Sequence, residues 1–383
     1  MLRSLNRELV AELLQRREGP CLSFFVPTRR VGLSADPGSI HLKNLVRDAE
    51  NLLERSGASP QGATSLLAPV RALLDDPAFW RAQGEGLAIF IAPGHLWTVR
   101  LAVAPRAEVQ AGSRFALASL LPMLPPAERF YVLALSLKRP RFLEVTPGET
   151  RRLGLPDLPE GIDQALGYDQ YYSELQAHSG GPRSLGRAGS IVHGHGDSDE
   201  EGQEKDILRY FRIVAEALAA RFDPEAPIVL AAVQEHLPLF RQAAGDLPVL
   251  SAAVPGSPDW VTDGELALRA YALVRERAAE LREEALSRYR ELAGSRTCDA
   301  AEGVIRAAGE GRVETLFFVP GTHRWGTFEP QASRSEIHEA PLPGDDELVN
   351  LAVTMALVRG GQVFPVPEEC SPGHAPLAAI LRY

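Results

Sequence analysis

Near the middle of the 383-residue chain, His193-Gly194-His195-Gly196-Asp197 sets two imidazoles among two glycines. An imidazole exchanges its proton near neutral pH, so either histidine would serve as a general base or as a polar contact to a reacting group. Gly194 and Gly196 let a backbone bend into a space that bulkier residues would block. The alternation His193-x-His195-x-Asp197-x-Asp199 also suits metal ligands on an extended segment. No residue that would orient those imidazoles is legible beside them, so the sequence assigns no metal and no cofactor. Arg183 and Arg187 stand upstream in a glycine-rich stretch, and Lys205, Arg209 and Arg212 follow downstream at helical spacing. Together these cations would grip phosphates; the plainer reading of the last three is a solvated helix face.

The elements that must position these residues form an α/β pattern. Residues 173–206 have no sustained apolar periodicity and read as one long loop, of a length that compact domains keep for lids, docking loops or linkers. A helix follows over about Glu204–Phe222, with Ile207, Leu208, Phe211, Val214, Ala215, Leu218 and Phe222 on one face. Strands are expected over Phe130–Leu137, Arg141–Val145 and Pro227–Val233, and a short helix over about His236–Ala244.

Before this central region, a helix over about Asn6–Arg17 leads to a strand at Cys21–Val26. Helices follow over about Ser39–Arg55 and Gln61–Leu74, then a strand–turn–strand around Pro93-Gly94. After it, a charged helix over Asp263–Leu292 carries Leu266, Tyr271, Val274, Ala278, Leu281, Ala285 and Tyr289 as its stripe. The remainder reads as helices over Asp299–Ala308 and Asp345–Arg359. Strands are expected at Val313–Val319, Gln362–Val366 and Ala378–Tyr383, with a hairpin at Arg324–Glu329 and Ser335–Glu339. Boundaries are expected at 1–126, 127–262 and 263–383, three domains in all.

Composition narrows the function classes. Net charge is −10, unfavourable for coating nucleic acid indiscriminately. No apolar run is long enough to span a bilayer, and three scattered cysteines make no disulfide framework, so a cytoplasmic protein without membrane or DNA partners is expected. No phosphate-binding Walker loop, dinucleotide fingerprint or nucleophile elbow is present.

The order of elements resembles the archaeo-eukaryotic class-1 release factor superfamily, which includes Pelota and a bacterial branch. The resemblance rests on GRVETLFFVP, a helix ending Arg359-Gly360-Gly361, QVFPVP and the final PLAAILRY. The proline-ended first strand, the two helices and Gly-Leu-Ala-Ile-Phe after them also match, as does the loop feeding RYFRIVAEAL. The resemblance implies an RNase H-like central domain, an L7Ae-like C-terminal domain, ribosome and tRNA as partners, and peptidyl-tRNA hydrolysis, in ribosome rescue or translation quality control. Decoding members carry Asn-Ile-Lys-Ser between the two N-terminal helices. Here the corresponding place shows Asn51-Leu52-Leu53-Glu54, and a carboxylate facing phosphates argues against stop-codon reading. The hydrolytic Gly-Gly-Gln is absent from the loop, which offers His193-Gly194-His195-Gly196 and, later, Gly202-Gln203. Gly360-Gly361-Gln362 spells the tripeptide but reads as a left-handed helix cap entering a strand. A noncatalytic ribosome- or RNA-binding module and a metal-assisted hydrolase or nuclease stay open as alternatives.

Overall fold

The computed structural model describes residues 2–15, 19–28, 37–147, 149–167, 196–219, 223, 226–342 and 344–383. Two compact units emerge: Met1–Pro125 with Leu281–Tyr383, and Pro126–Glu280.

The first unit opens with β1 (Leu2–Ser4), α1 (Arg7–Gln15), β2 (Cys21–Pro27), α2 (Pro37–Arg55), α3 (Pro60–Leu74) and α4 (Pro77–Arg81). It continues with β3 (Gly86–Ala92), β4 (His95–Leu101), β5 (Glu108–Gly112) and α5 (Leu117–Leu120). The strands lie in the order β1-β4-β3-β2-β5, with β1 parallel to β4 and the other pairs antiparallel. Side chains of a strand alternate between faces, so a sheet covered on both sides needs apolar residues throughout. Leu87, Ile89 and Ile91 of β3 pack under α2 and α3, while Ala88, Phe90 and Ala92 pack under α1. Asn51–Glu54 lies inside α2 and not in a turn, with Leu53 buried in that core. The connection between α2 and α3 is Ser56-Gly57-Ala58-Ser59, where Ser59 Oγ accepts from Gly62 N at 3.1 Å and caps α3.

The second unit holds β6 (Phe130–Ala134), β7 (Arg141–Thr146), β8 (Glu149–Leu153) and α6 (Ile162–Leu166). After them come α7 (Gly196–Ala219), β9 (Ile228–Ala232), α8 (His236–Ala243), β10 (Val249–Pro255) and the start of α9 (Asp263–Glu291). The sheet runs β10-β9-β6-β7-β8, parallel across its first three strands and antiparallel thereafter. Tyr131, Leu133 and Leu135 face α7 and α8, and Phe130, Val132 and Ala134 face α9.

The stripe expected on α9 holds at Leu266, Val274 and Tyr289. Tyr271 and Leu281 are exposed instead, and Ala267, Ala270 and Leu286 are buried. The start of this helix packs on one core and its end on another, so no single stripe runs its length.

The chain ends, within the first unit, in β11 (Thr297–Cys298), α10 (Ala301–Glu310), β12 (Val313–Phe318), β13 (Trp325–Glu329), β14 (Arg334–His338), β15 (Asp346–Glu347), α11 (Leu348–Val358), β16 (Gln362–Pro365) and β17 (Leu377–Leu381). Four strands lie in the order β11-β17-β12-β16, and β14-β13-β15 form a separate small sheet. Helices α10 and α11 cover one face of the four-stranded sheet. The Gly360-Gly361-Gln362 turn is structural, as expected. Gly360 has φ +71°, Gly361 N donates to Ala356 O at 2.8 Å, and Gln362 begins β16.

Candidate nucleic-acid interface at the carboxyl end of β6

Parallel strands in an open sheet present loops at their carboxyl ends, where ligands commonly bind. In the central unit the peptide leaving β6 turns sharply at Ser136, whose buried Oγ accepts from Lys138 N at 3.1 Å and Arg139 N at 3.2 Å. That turn leaves Lys138 and Arg139 exposed. Neither cation was singled out from sequence; Lys-Arg-Pro directly after an apolar strand is the signal that was available.

Two helices grip the same short peptide. Tyr210 of α7, fully buried, donates from its hydroxyl to Ser136 O at 2.9 Å, and burial drives its phenol pKa far above the ordinary value. At the start of α6, Ile162 N donates to Leu137 O at 2.7 Å. A Cβ on Gly161 would sit 2.7 Å from Lys138 O, so glycine is required there by close approach. Helices α6 and α7 are the elements that flank residues 168–195, and both are anchored to the end of β6.

Helix α7 begins at Gly196, earlier than the expected Glu204, so the last part of the predicted loop, from 196 onward, is helical. Gly202 lies inside the helix with nothing within 4 Å of where a Cβ would stand, while Gln203, Glu204 and Lys205 are good helix formers. Residues 202–205 are exposed and Ile207 is buried, so this stretch of the helix reaches the core at Ile207. Lys205, Arg209 and Arg212, spaced four and three residues apart, share one exposed stripe of α7. Gly196 is the first helical residue. Arg183, Arg187, His193, Gly194 and His195 lie outside the described residues.

His236 opens α8 at the carboxyl end of β9. Its ring meets Phe211 edge-on at 5.5 Å, and burial lowers its pKa, which keeps it neutral at neutral pH. Its Nδ1 is buried without a hydrogen-bond partner among the described residues. One histidine in the short polar run Gln234-Glu235-His236 carries no pattern in the sequence. Among the described residues no three His, Cys, Asp or Glu side chains are grouped to hold a metal ion. The arrangement therefore offers cations for phosphate contact and a neutral imidazole. No helix among the described residues is long and apolar enough to cross a membrane.

Lys138 and Arg139 thus stand exposed at the end of β6, and α7 carries its own exposed row of cations. Residues 129–312 match the family described as bacterial archaeo-eukaryotic release factor family 3, so that part of the chain is similar to this family. No curated protein matches the sequence. Among solved structures, the chain is similar to the archaeal translation termination factor aRF1 (14% identity, 98% of this chain and 97% of that one, TM-score 0.25). It is also similar to Dom34 of S. cerevisiae, a translation termination-like factor involved in RNA quality control pathways and interacting with Hbs1 (8% identity, 78% and 73%, TM-score 0.38). A third is archaeal Pelota, from a ribosome-bound assembly with ABCE1 (11% identity, 100% and 95%, TM-score 0.36).

Proposed function

We propose that this protein acts on the ribosome or on peptidyl-tRNA in the cytoplasm, in ribosome rescue or translation quality control, and does not decode stop codons. The observation that carries the reading is the family match over residues 129–312, which contains the whole cation-bearing strand end. Lys205, Arg209 and Arg212 on α7, with Arg183 and Arg187 before them, contact RNA phosphates, and Lys138 and Arg139 extend the same set. His193, Gly194, His195 and Gly196 approach the peptidyl-tRNA ester, one imidazole taking a proton from water.

The mixed central sheet with helices on both faces supports an RNase H-like assignment for 127–262. Two helices on one face of a four-stranded sheet support an L7Ae-like assignment for 263–383, leaving 1–126 as the N-terminal domain. The absence of a cation from Ser56–Ser59, and the helical state of Asn51–Glu54, support a role without codon reading. No cofactor, membrane or DNA enters the proposal.

The test uses purified stalled ribosome–nascent-chain complexes. The wild-type chain is expected to co-sediment with ribosomes and release peptide, and His193→Ala/His195→Ala to bind without release. Lys205→Glu/Arg209→Glu/Arg212→Glu is expected to lose binding by about tenfold or more at moderate salt. Binding without release by the wild type supports the noncatalytic module instead, and failure to co-sediment overturns the proposal.

A further inference from the structure

The C-terminal sheet gathers arginines from four distant places in the sequence. Strand β17 runs antiparallel to both β11 and β12, so its carboxyl end adjoins the amino ends of both. Helix α11 feeds β16, which is parallel to β12, so its carboxyl end arrives at that edge too. Arg296 precedes β11, Arg312 precedes β12, Arg359 follows α11 and Arg382 follows β17. Contacts confirm the convergence. Arg382 N donates to Arg312 O at 2.8 Å, Arg382 Nη2 to Arg359 O at 2.9 Å, and Arg296 Nη1 to Arg382 O at 3.2 Å. Arg312 Nη2 donates to Tyr383 O at 3.0 Å, and its guanidinium lies 5.5 Å from the centre of the Tyr383 ring.

These contacts explain why the arginines stay in place, but they leave the charge largely uncancelled. Two of the partners, Arg359 O and Arg382 O, are backbone carbonyls, which are neutral. Among the described residues, the only side-chain carboxylate within ion-pair distance of the four is Glu310, 3.2 Å from Arg312. Arg359 is exposed and makes no side-chain hydrogen bond or ion pair among the described residues. Each guanidinium has five donors, and on the exposed Arg359 and Arg382 donors remain to meet an anion. Such an excess of cations is conspicuous in a chain of net charge −10. Beside it, the Tyr383 ring is 73% exposed and offers a stacking face.

We infer that this edge is a second RNA-binding site, one that takes the phosphodiester backbone of a single-stranded or looped segment and stacks a base on Tyr383. Guanidinium forks match phosphate oxygens, and unpaired bases stack on exposed aromatics without strong sequence preference. The site is separate from the α7 cations and does not rest on the function proposed for them.

The test measures fluorescence anisotropy of a labelled oligo(U) 12-mer with the full chain carrying Lys205→Glu/Arg209→Glu/Arg212→Glu, so that α7 contributes nothing. Adding Arg359→Glu, which disturbs no contact described above, is expected to weaken binding about tenfold. The slope of log K against log salt should fall by about 1, as expected when a phosphate contact is lost. Tyr383→Ser keeps every charge and is expected to cost about fivefold with the salt slope unchanged. Affinity and slope unaffected by both substitutions, with unchanged circular dichroism, would sink the inference. So would loss of binding equal for oligo(U) and for a sulfated polysaccharide with no effect of Tyr383→Ser.

Discussion

In the central unit one guanidinium makes the main polar tie, whereas in the other unit an amide and a histidine join segments more than two hundred residues apart. Arg141 of β7 donates to Asp263 Oδ1 at 2.5 Å, to Val261 O at 3.1 Å and to Pro258 O at 2.5 Å, fixing the start of α9 to the sheet. Arg152 adds contacts to the same carboxylate. In the first unit Asn350, buried on α11, accepts from Ala118 N at 3.0 Å and donates to Phe115 O at 2.9 Å. Beside it His323 Nε2 lies 3.4 Å from Glu108, and Glu347 caps α11 by accepting from Val349 N and Asn350 N. The lesson is one of titration. An arginine tie keeps its charge at any ordinary pH, whereas a histidine tie is an ion pair only while the ring is protonated.

The comparison is broken most severely at Arg141. Arg141→Met should cost about 2–4 kcal/mol, because it strips two carbonyls and half of Asp263's pairing at a nearly buried site. Urea unfolding measures this, and a loss below about 1 kcal/mol would show that Arg152 alone suffices. Asn350→Ala comes next, at about 2–3 kcal/mol, since Ala118 N and Phe115 O both lose their partner.

The histidine tie sharpens the contrast through pH. Hydrogen bonding to Glu108 raises the His323 pKa, and the same contact lowers that of Glu108. The histidine's contribution is complete below its unfolded value of about 6.5 and fades as pH climbs through the raised one. The carboxylate's contribution is present above its ordinary range and fades as pH falls. His323 is about one-third exposed, so the pair is worth less than about 1 kcal/mol. The stability gap between wild type and His323→Gln should therefore be larger at pH 5.5 than at pH 8.5, while the gap for Arg141→Met stays constant. Equal gaps for both variants would remove the distinction.

The smallest effect is expected in the opening turns of α7. Gly202→Ala should stabilise by about 0.5–1 kcal/mol, because a helical glycine without steric need only costs backbone entropy. Destabilisation on thermal melting would mean that these turns do not stay helical in solution.

Legibility in the sequence followed burial. Strands β2, β3, β6, β9 and β12 were all readable because both of their faces are covered, which demands unbroken apolar runs. The four strands missed in the two five-stranded sheets, β1, β5, β8 and β10, are the four edges of those sheets. Edge strands such as Glu149–Leu153 are ordered by backbone pairing to one neighbour and carry little apolar signal of their own. In the candidate site, Lys205, Arg209 and Arg212 were readable as one helical stripe, but Lys138, Arg139 and His236 were not. Their relation to α6 and α7 runs through Ser136 and Tyr210, which no local pattern connects.

What the sequence determined by itself was the set of buried elements, the α/β class and the capping role of Gly360-Gly361, because periodicity and turn chemistry are written among near neighbours. Only tertiary structure decided that α7 begins at Gly196, that β6 is gripped by both helices beside it, and that Arg296, Arg312, Arg359 and Arg382 meet at one edge. Those outcomes depend on which distant segments pair, and that choice is made by the packing energy of the whole unit and not by any window of the chain.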